Sequence, residues 1–308
     1  MTKVFIDGSA GTTGLRINER LAERKDIEII KLDESVRKDP SARKEALFGA
    51  DIAFLCLPDA AAVEAAELAR GSDTVIIDTS TAHRCASGWT YGFPEVIGRE
   101  EIAGSGRIAN PGCHASGFIS LVAPLTEYGI IPKDTKLTCF SLTGYSGGGK
   151  KMIAEYESDE RDLLLDAPRM YGLTQNHKHL PEMARYCKLD NNPVFCPVVA
   201  PYYSGMEVVV PLFGDMTDCK TEEIKKAYRQ YYKTGLVKYS DCEENGFVSA
   251  GSMSGRDDMI ISVFGNDDRI LLVSRFDNLG KGASGAAIQN MNIVMGIDEK
   301  TGLQEKSI

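Results

Sequence analysis

The N-terminal segment restricts the fold more than any other part of the chain. A short apolar strand, Val4–Asp7, runs into a glycine-rich turn, and apolar residues then recur at helical spacing to about Arg24. A buried strand, a tight glycine turn and a helix in this order are typical of dinucleotide-binding folds, because small residues let a pyrophosphate reach the helix N-terminus. The spacing is G-x-x-G-x-x-G rather than the commoner G-x-G-x-x-G. The candidate cofactor-binding residues in the turn are Gly8, Ser9, Gly11, Thr12, Thr13 and Gly14.

Strand and helix patterns continue to alternate as far as about Tyr128. The alanine-rich stretch Ala60–Arg70 reads as a helix, and the further strands that we predict cover Ile27–Leu32, Ile52–Leu57, Thr74–Asp78 and Arg107–Ala109. This alternation predicts an α/β fold with a doubly wound, Rossmann-type parallel sheet.

The loop after the second strand bears on which dinucleotide would bind. Asp33 and Glu34 could bind a ribose 2′-hydroxyl, whereas Ser35, Arg37 and Lys38 could meet a 2′-phosphate. Both kinds of residue are present, so this loop alone does not choose between NAD and NADP.

A second loop, Asp78–Arg84, follows the fourth strand. Loops beyond the carboxyl ends of parallel strands hold ligands in such sheets, so Arg84 is a candidate anion clamp. The alternative is a surface arginine that caps a turn, and position alone does not separate the two.

Cys113 is the candidate nucleophile. Pro111 and Gly112 break any preceding strand, and the apolar residues from Phe118 to Leu125 are spaced to share one helix face. Cys113 should therefore stand at or just before a helix N-terminus, where the helix dipole favours a thiolate. The other seven of the eight cysteines have no such position, and we expect them to be inert packing residues.

A second chemical centre is expected at His177–Glu182, which holds two of the four histidines. Pro181 suits the first turn of a helix running towards Cys187, and Glu182 suits its positive end. His179 would then stand at the mouth of the helix as a general base, with His177 as the alternative. A metal site is a weak interpretation, because the loop offers no third ligand nearby.

The rest of the chain predicts an α+β domain. A strand over Lys136–Leu142 leads into Ser146-Gly147-Gly148-Gly149-Lys150, a stretch that could wrap an anion with its backbone amides. Later strands are predicted over Val194–Val199, Glu207–Phe213, Met259–Phe264 and Arg269–Phe276, with one helix over Thr221–Lys233.

The large sheet could form a subunit interface. The final helix, about Ala286–Met295, is rich in small residues and should pack back on the first domain. We therefore expect a dinucleotide-binding domain over 1–112 with 278–308, and a catalytic and dimerisation domain over 113–277.

Composition excludes several classes of function. The formal net charge is −9 with no basic tract, which argues against nucleic-acid binding, and no apolar run is long enough to span a bilayer. The chain begins directly with a strand and shows no signal peptide, so we expect a reducing cytoplasm.

Together these motifs resemble the shorter-form N-acetyl-γ-glutamyl-phosphate reductases of the aspartate-semialdehyde dehydrogenase superfamily. The resemblance covers nearly the full chain and rests on Gly8-x-x-Gly11-x-x-Gly14, Asp78-x-Ser80-x-x-x-Arg84, Asn110-Pro111-Gly112-Cys113, His177-x-His179-x-Pro181-Glu182 and Asp277-Asn278-Leu279-x-Lys281-Gly282. It implies NADP(H)-dependent reduction of an acyl phosphate in arginine biosynthesis, with Cys113 catalytic, a base from His177 or His179, and Asn278 near the nicotinamide. His114 follows the cysteine here; we do not expect it to be the base, since neighbouring residues at a helix start point apart.

The resemblance also leads to expectations for the substrate and the assembly. A phosphate leaving group needs a cationic seat, and the candidate substrate-binding residues are Arg84, Ser146, Gly147, Lys150 and Glu182. The partners expected are a small acyl-phosphate substrate and further copies of the chain, as a homodimer or homotetramer. Two alternatives stay open: an aspartate-semialdehyde dehydrogenase, whose base histidine would lie later in the chain, and a dinucleotide-binding redox sensor with Cys113 as its switch.

Overall fold

A computed structural model describes residues 1–305. The strands are β1 Thr2–Asp7, β2 Ile27–Ile30, β3 Ile52–Leu55, β4 Val75–Asp78, β5 Thr90–Tyr91, β6 Arg107–Ala109, β7 Thr138–Gly144, β8 Arg169–Met170, β9 Val194–Ala200, β10 Met206–Phe213, β11 Val237–Tyr239, β12 Met259–Asn266 and β13 Arg269–Phe276. The helices are α1 Thr12–Ala22, α2 Pro40–Gly49, α3 Asp59–Leu68, α4 Pro94–Ile97, α5 Arg99–Ala103, α6 Cys113–Glu127, α7 Gly149–Glu157, α8 Leu180–Tyr186, α9 Thr221–Tyr231 and α10 Gly285–Val294. Nowhere in residues 1–305 does a helix combine the length and apolar character that crossing a bilayer demands.

The chain divides into two compact units. The first comprises Met1–Pro111 and Ala283–Leu303, and the second comprises Gly112–Gly282 with Gln304 and Glu305. Gly112, residues 278–282 and residues 304–305 thus belong to the second unit, whereas the sequence interpretation assigned them to the first. Residues 306–308, which it also assigned to the first domain, lie outside the described residues.

The first unit is built on a parallel sheet of strand order β2-β1-β3-β4-β6-β5. The strand order reverses between β1 and β3, so the glycine-rich turn after β1 lies at the switch point where such sheets bind ligands. Alternate residues of each strand point to opposite faces, as a two-residue period requires. Val4 and Ile6 of β1 pack in one core with residues of α1 and α10, while Phe5 packs in a second core with residues of α2 and α3.

The second unit is built on a mixed sheet of order β11-β12-β13-β10-β7-β9-β8. β10 runs antiparallel to β13 and β7, while β7 and β9 are parallel. Helices α6 and α9 pack on this sheet, α6 against β10 and β13 and α9 against β12. The prediction of a doubly wound domain followed by an α+β domain is therefore confirmed.

Helix α6 is buried along most of its length, and every residue from His114 to Thr126 is shielded from solvent. We expected one apolar face, but the helix lies between the sheet and helices α8 and α9 and is covered on all sides. Gly117 permits the close approach to the sheet, because a Cβ at this position would lie 2.3 Å from Cγ2 of Val208. The buried helix fixes the position of its first residue, Cys113.

The predicted element bounds differ from the observed ones in a few places. The strand predicted over Lys136–Leu142 runs over Thr138–Gly144, and the glycine-rich stretch after it forms a 3-10 turn, Tyr145–Gly148, followed by α7. Helix α2 was not predicted, although Asp39 caps its N-terminus by accepting a hydrogen bond from the Ala42 N–H and Pro40 occupies its first turn.

Candidate active site

Cys113 is the first residue of α6, as the Pro111–Gly112 break predicted. Gly112 is the N-cap residue with extended backbone, and its carbonyl accepts the hydrogen bond of the Ser116 N–H at 2.8 Å. The first N–H groups of a helix have no acceptor within it and carry the positive end of its dipole. A thiol at this position is therefore favoured as the thiolate.

Glu182 connects the cysteine loop to the histidine loop. It lies in the first turn of α8 with 1% of its surface exposed. One carboxylate oxygen accepts a hydrogen bond from the Gly112 N–H at 3.1 Å, and the other lies 3.9 Å from Nε2 of His179. These contacts give Glu182 a role in positioning the cysteine loop and His179. Direct contact with substrate, expected from the sequence, stays a prediction.

Both predicted base candidates lie in one cluster of rings. The rings of His177 and His179 are 4.7 Å apart, and those of His114 and His179 are 5.6 Å apart. The N–H of His179 donates to Nδ1 of His177 at 3.2 Å, which fixes the orientation of the His177 ring. His179 is the N-cap residue of α8, as predicted. The cluster brings the two candidates together without showing which one moves the proton.

His114 is the third histidine of this cluster, and sequence reasoning assigned it no role. Its Nδ1 lies 2.6 Å from the Ser141 hydroxyl, and its Nε2 lies 2.6 Å from the Tyr171 hydroxyl. Burial lowers the pKa of His114 to about 3, and the nearby His177 adds to this effect. His114 is therefore a neutral imidazole at physiological pH. Ser141 and Tyr171 were missed because they lie outside every motif, on β7 and on the loop after β8.

Three other thiols, those of Cys56, Cys139 and Cys187, are poor nucleophiles. Burial raises the pKa of Cys56 to about 12, and the charges of Asp78 and Asp7 raise it further. Burial likewise raises the pKa of Cys139 and of Cys187 well above the ordinary value. These cysteines behave as small apolar residues, in agreement with the expectation of inert packing.

Asn278 and Ser146 lie together within the second unit. Nδ2 of Asn278 donates to the Ser146 hydroxyl at 3.0 Å, and its Oδ1 accepts from the Gly205 N–H at 3.0 Å. Both side chains are buried, whereas Gly147 in the 3-10 turn and Lys150 in the first turn of α7 are exposed. The nicotinamide role of Asn278 and the substrate roles of Ser146, Gly147 and Lys150 stay predictions.

The glycine-rich turn in the first unit packs closely on itself and on the residue that follows β3. Gly8 has φ +88°, and a Cβ on it would lie 2.3 Å from the carbonyl oxygen of Cys56. A Cβ on Gly14 would lie 2.5 Å from the carbonyl oxygen of Gly8. At the start of α1, the hydroxyl of Thr12 is buried and has no hydrogen-bond partner within residues 1–305. Glycine is therefore required at both positions of this tight turn, which leads to a helix N-terminus with an unpaired buried hydroxyl, an arrangement that fits the phosphates of a dinucleotide.

A cavity of about 590 Å³ adjoins this turn. Gly8, Ser9 and Gly11 contribute to its lining from the turn, and Arg37 and Lys38 contribute from the loop after β2. Ser35 does not line it; its hydroxyl donates to Asp33 at 2.6 Å, and its hydrogen bonds lower the pKa of Asp33. The size and lining suit the adenosine end of a dinucleotide.

Arg84 is buried in the first unit, with 7% of its surface exposed, so it is not a surface arginine. Its Nε donates to the carbonyl oxygen of Asn110 at 2.9 Å. The loop that carries it is held by Asp78, which accepts hydrogen bonds from the Ser80 N–H and hydroxyl and lies 2.6 Å from Nδ1 of His83. Its anion-binding role stays a prediction.

Two family models match the chain. The model described as semialdehyde dehydrogenase, NAD binding domain, matches residues 33–105, and the model described as semialdehyde dehydrogenase, dimerisation domain, matches residues 113–278. Their order agrees with the two units of the structure.

Curated relatives are similar over almost the whole chain. N-acetyl-γ-glutamyl-phosphate reductase 2 of Nostoc sp. is 43% identical, over 98% of this chain and 99% of the relative. N-acetyl-γ-glutamyl-phosphate reductase of Brucella ovis is 44% identical, over 96% of this chain and 99% of the relative.

Solved structures share the fold at low identity. Aspartate semialdehyde dehydrogenase II of Vibrio cholerae matches with a TM-score of 0.71 and 17% identity, over 96% of this chain and 99% of that one. The enzyme of Francisella tularensis matches with a TM-score of 0.71 and 16% identity, over 96% of this chain and 100% of that one.

Proposed function

The chain belongs to the N-acetyl-γ-glutamyl-phosphate reductase family, and from this premise we propose that it reduces N-acetyl-γ-glutamyl phosphate to the semialdehyde and phosphate through a thioester on Cys113. The observation that carries the proposal is the position of Cys113 at the start of a buried helix, beside a loop that Glu182 joins to His179. A nucleophile, a base candidate and a residue that orients them are the components that covalent catalysis requires.

Acyl transfer comes first. The Cys113 thiolate attacks the acyl-phosphate carbon, the bond from carbon to the phosphate oxygen breaks, and phosphate leaves with that electron pair. The first N–H groups of α6 stabilise the oxyanion that develops on the carbonyl oxygen. Arg84 is our candidate for binding the phosphate group, as a charge-assisted contact.

Reduction follows on the same sulfur. The residues that would hold NADPH are those of the glycine-rich turn with Arg37 and Lys38, and the bound cofactor would supply a hydride. The thioester carbon accepts the hydride and becomes a thiohemiacetal alkoxide. Its collapse breaks the carbon–sulfur bond and releases the aldehyde, while His179 or His177 returns a proton to the sulfur.

The assembly that we propose is a homo-oligomer formed through the open face of the second sheet. The register places Phe140 beside Val209, and Pro211 beside Leu271, on one face, and Phe140 and Leu271 are each 42% exposed. An exposed apolar strip on a central sheet suits a two-fold interface between copies. Phe140→Asp should lower the mass measured by light scattering to that of the monomer. Phe48→Asp, a matched change on α2, should leave the mass unchanged.

The activity is tested by phosphate-dependent reduction of NADP⁺ in the reverse direction. N-acetylglutamate semialdehyde should give a kcat/KM at least about 100-fold above that of aspartate semialdehyde.

Cys113→Ser should abolish turnover while the dissociation constant for NADPH is retained, because the glycine-rich turn is a separate element. Cys242→Ser changes an exposed cysteine and should be fully active. A preference for aspartate semialdehyde, or an active Cys113→Ser enzyme, would refute the proposal. The predicted cytoplasmic location stays a prediction.

A further inference from the structure

Helix α10 of the first unit is buried, yet it carries three amide side chains. Every residue from Gly285 to Ile293 is shielded from solvent. A buried amide is costly unless its donors and acceptors are paired, so the partners of each amide indicate what it does. The amides are those of Gln289, Asn290 and Asn292. Asn290 contacts the segments that follow β5 and β6.

The amide nitrogen of Asn290 donates to two oxygens of the first unit. Its Nδ2 lies 2.9 Å from the carbonyl oxygen of Gly92 and 3.3 Å from Oδ1 of Asn110. The amide nitrogen of Asn110 donates to the Ala283 carbonyl oxygen at 3.0 Å, which turns Oδ1 of Asn110 towards Asn290. Because backbone carbonyl oxygens can only accept, neither amide can be flipped. The side chain of Asn110 is therefore held between two partners.

Asn110 in turn orients Arg84. The Asn110 carbonyl oxygen accepts from Nε of Arg84 at 2.9 Å, and the Thr79 carbonyl oxygen accepts from Nη2 at 3.3 Å. These two carbonyl groups follow β6 and β4, which are neighbours in the parallel sheet. A guanidinium is planar, so two contacts fix the directions of its other N–H groups. The orientation of Arg84 thus depends on the position of the Asn110 carbonyl group.

We propose that Asn290 is a positioning residue for phosphate binding by Arg84 and that it acts through Asn110. The donors of Asn290 hold Asn110 where its carbonyl oxygen meets the Arg84 guanidinium. A charge-assisted hydrogen bond between Arg84 and phosphate is strong, and it weakens steeply when its geometry is disturbed. The inference rests on the proposed function, in which Arg84 binds the phosphate group.

Gly92 gives an independent indication that the Asn290 amide is closely fitted. A Cβ on Gly92 would collide with Nδ2 of Asn290 and would lie 3.0 Å from Cγ2 of Ile108. Gly92 is not one of the glycines with a positive φ, so space rather than backbone conformation requires glycine here. Gly92→Ala therefore displaces the amide without changing Asn290 itself.

The experiment measures kcat, KM for phosphate and KM for NADP⁺ in the reverse assay of the full-length protein, with Tm alongside. Asn290→Ala should raise KM for phosphate about tenfold and change kcat and KM for NADP⁺ less than about twofold, because phosphate binding is weakened while the chemistry is kept. Asn290→Asp keeps the size but loses both donors, and it should act in the same direction. The control Asn292→Ala removes an amide that donates to the carbonyl oxygens of Glu299 and Thr301, so it should lower Tm and leave KM for phosphate unchanged.

Double variants test whether the effect passes through the proposed contacts. Gly92→Ala alone should also raise KM for phosphate about tenfold, whereas in Asn290→Ala the added methyl group occupies space that the amide has left and should add nothing. Asn290→Ala combined with Arg84→Ala should match Arg84→Ala alone. The control Gly106→Ala meets no atom of residues 1–305 within 4 Å and should leave KM for phosphate unchanged.

Equilibrium dialysis with radiolabelled inorganic phosphate gives a dissociation constant that does not depend on turnover. This constant should rise about tenfold in Asn290→Ala and further in Arg84→Ala. A wild-type constant in either variant, or additive losses in the double variants, would overturn the inference. Gly92→Ala decides the matter if Asn290→Ala does not fold. A chain that does not act on N-acetylglutamate semialdehyde would instead refute the proposed function and leave the dialysis result intact, so the two failures are distinguishable.

Discussion

The backbone N–H of Gly112 donates a hydrogen bond to the carboxylate of Glu182, across 3.1 Å and 70 residues of chain. The carboxylate is buried, and a buried charge is tolerated only where hydrogen bonds and neighbouring charges compensate it. The same carboxylate faces Nε2 of His179 at 3.9 Å. One side chain thus fixes both the residue before the nucleophile and the candidate base.

Two replacements of Glu182 should distinguish the effect of its hydrogen bond to Gly112 from the effect of its charge beside His179. Glu182→Gln keeps an oxygen acceptor for Gly112 but removes the charge that stabilises a protonated His179, so kcat should fall about tenfold with little change in Tm. Glu182→Ala also removes the acceptor and should cost about 1–3 kcal/mol of stability. Kinetics and thermal unfolding check both, with the exposed Glu222→Gln as control. Full activity in Glu182→Gln would show that the charge is not needed.

The base is identified by a pair of variants. His179→Asn should lower kcat by about 100-fold or more with a modest effect on substrate KM, because general acid–base catalysis is lost while binding is kept. His177→Asn should have the smaller effect, measured in the same assay. If His177→Asn abolishes turnover and His179→Asn does not, the assignment moves to His177.

The proposed phosphate-binding role of Arg84 is tested by measuring KM for the acyl phosphate and for phosphate. Arg84→Ala should mainly raise KM for the acyl phosphate and, in the reverse assay, for inorganic phosphate, because the ground state and the transition state share this contact. Arg84→Lys keeps the charge, so its KM values should lie between those of the wild type and those of Arg84→Ala. Because Arg84 is buried, Tm is measured alongside. A change in kcat with phosphate KM unaffected would contradict the role.

Cofactor preference should depend on Arg37. The Arg37 guanidinium lies 3.3 Å from Glu34 in an exposed ion pair, which is weak enough for a 2′-phosphate to replace. Wild-type enzyme should have the higher kcat/KM with NADPH. Arg37→Ala should raise KM for NADPH about tenfold and change KM for NADH little. Arg70→Ala, which removes a similar exposed pair with Glu67, is the control. A wild-type preference for NADH would refute this prediction.

His114 should make stability depend on pH in a defined direction. The folded protein holds His114 neutral, with its pKa lowered to about 3, whereas the unfolded chain takes up a proton below about 6.5. The unfolded state therefore binds more protons as pH falls, and stability is lost below about pH 6.5. Between pH 7.5 and 5.5 the wild type should lose about 1.4 kcal/mol relative to His114→Phe, measured by urea unfolding. A constant difference between the two proteins would contradict the prediction.

The sequence by itself determined the two-domain fold and the position of the nucleophile. The Val4–Asp7 strand and its glycine-rich turn predict the first sheet, and the Pro111–Gly112 break predicts a helix that begins at Cys113. These signals are readable because backbone restriction by Pro and Gly, and the period of apolar residues, act within a dozen residues of chain. His179 at the N-cap of α8 was predicted for the same reason.

Tertiary structure alone decided which side chains meet. Ser141 and Tyr171 contact His114 from positions 27 and 57 residues away, and Asn278 contacts Ser146 from 132 residues away. No local pattern marks such partners, because strand register and helix packing select them only when the whole unit forms. For the same reason the contacts of Glu182 with the Gly112 N–H and with His179 could not be predicted from the sequence, while its contact with substrate stays a prediction. Local sequence patterns determine where the reactive residues lie along the helices and loops. The packing of buried polar groups into hydrogen-bonded pairs determines which residues they contact.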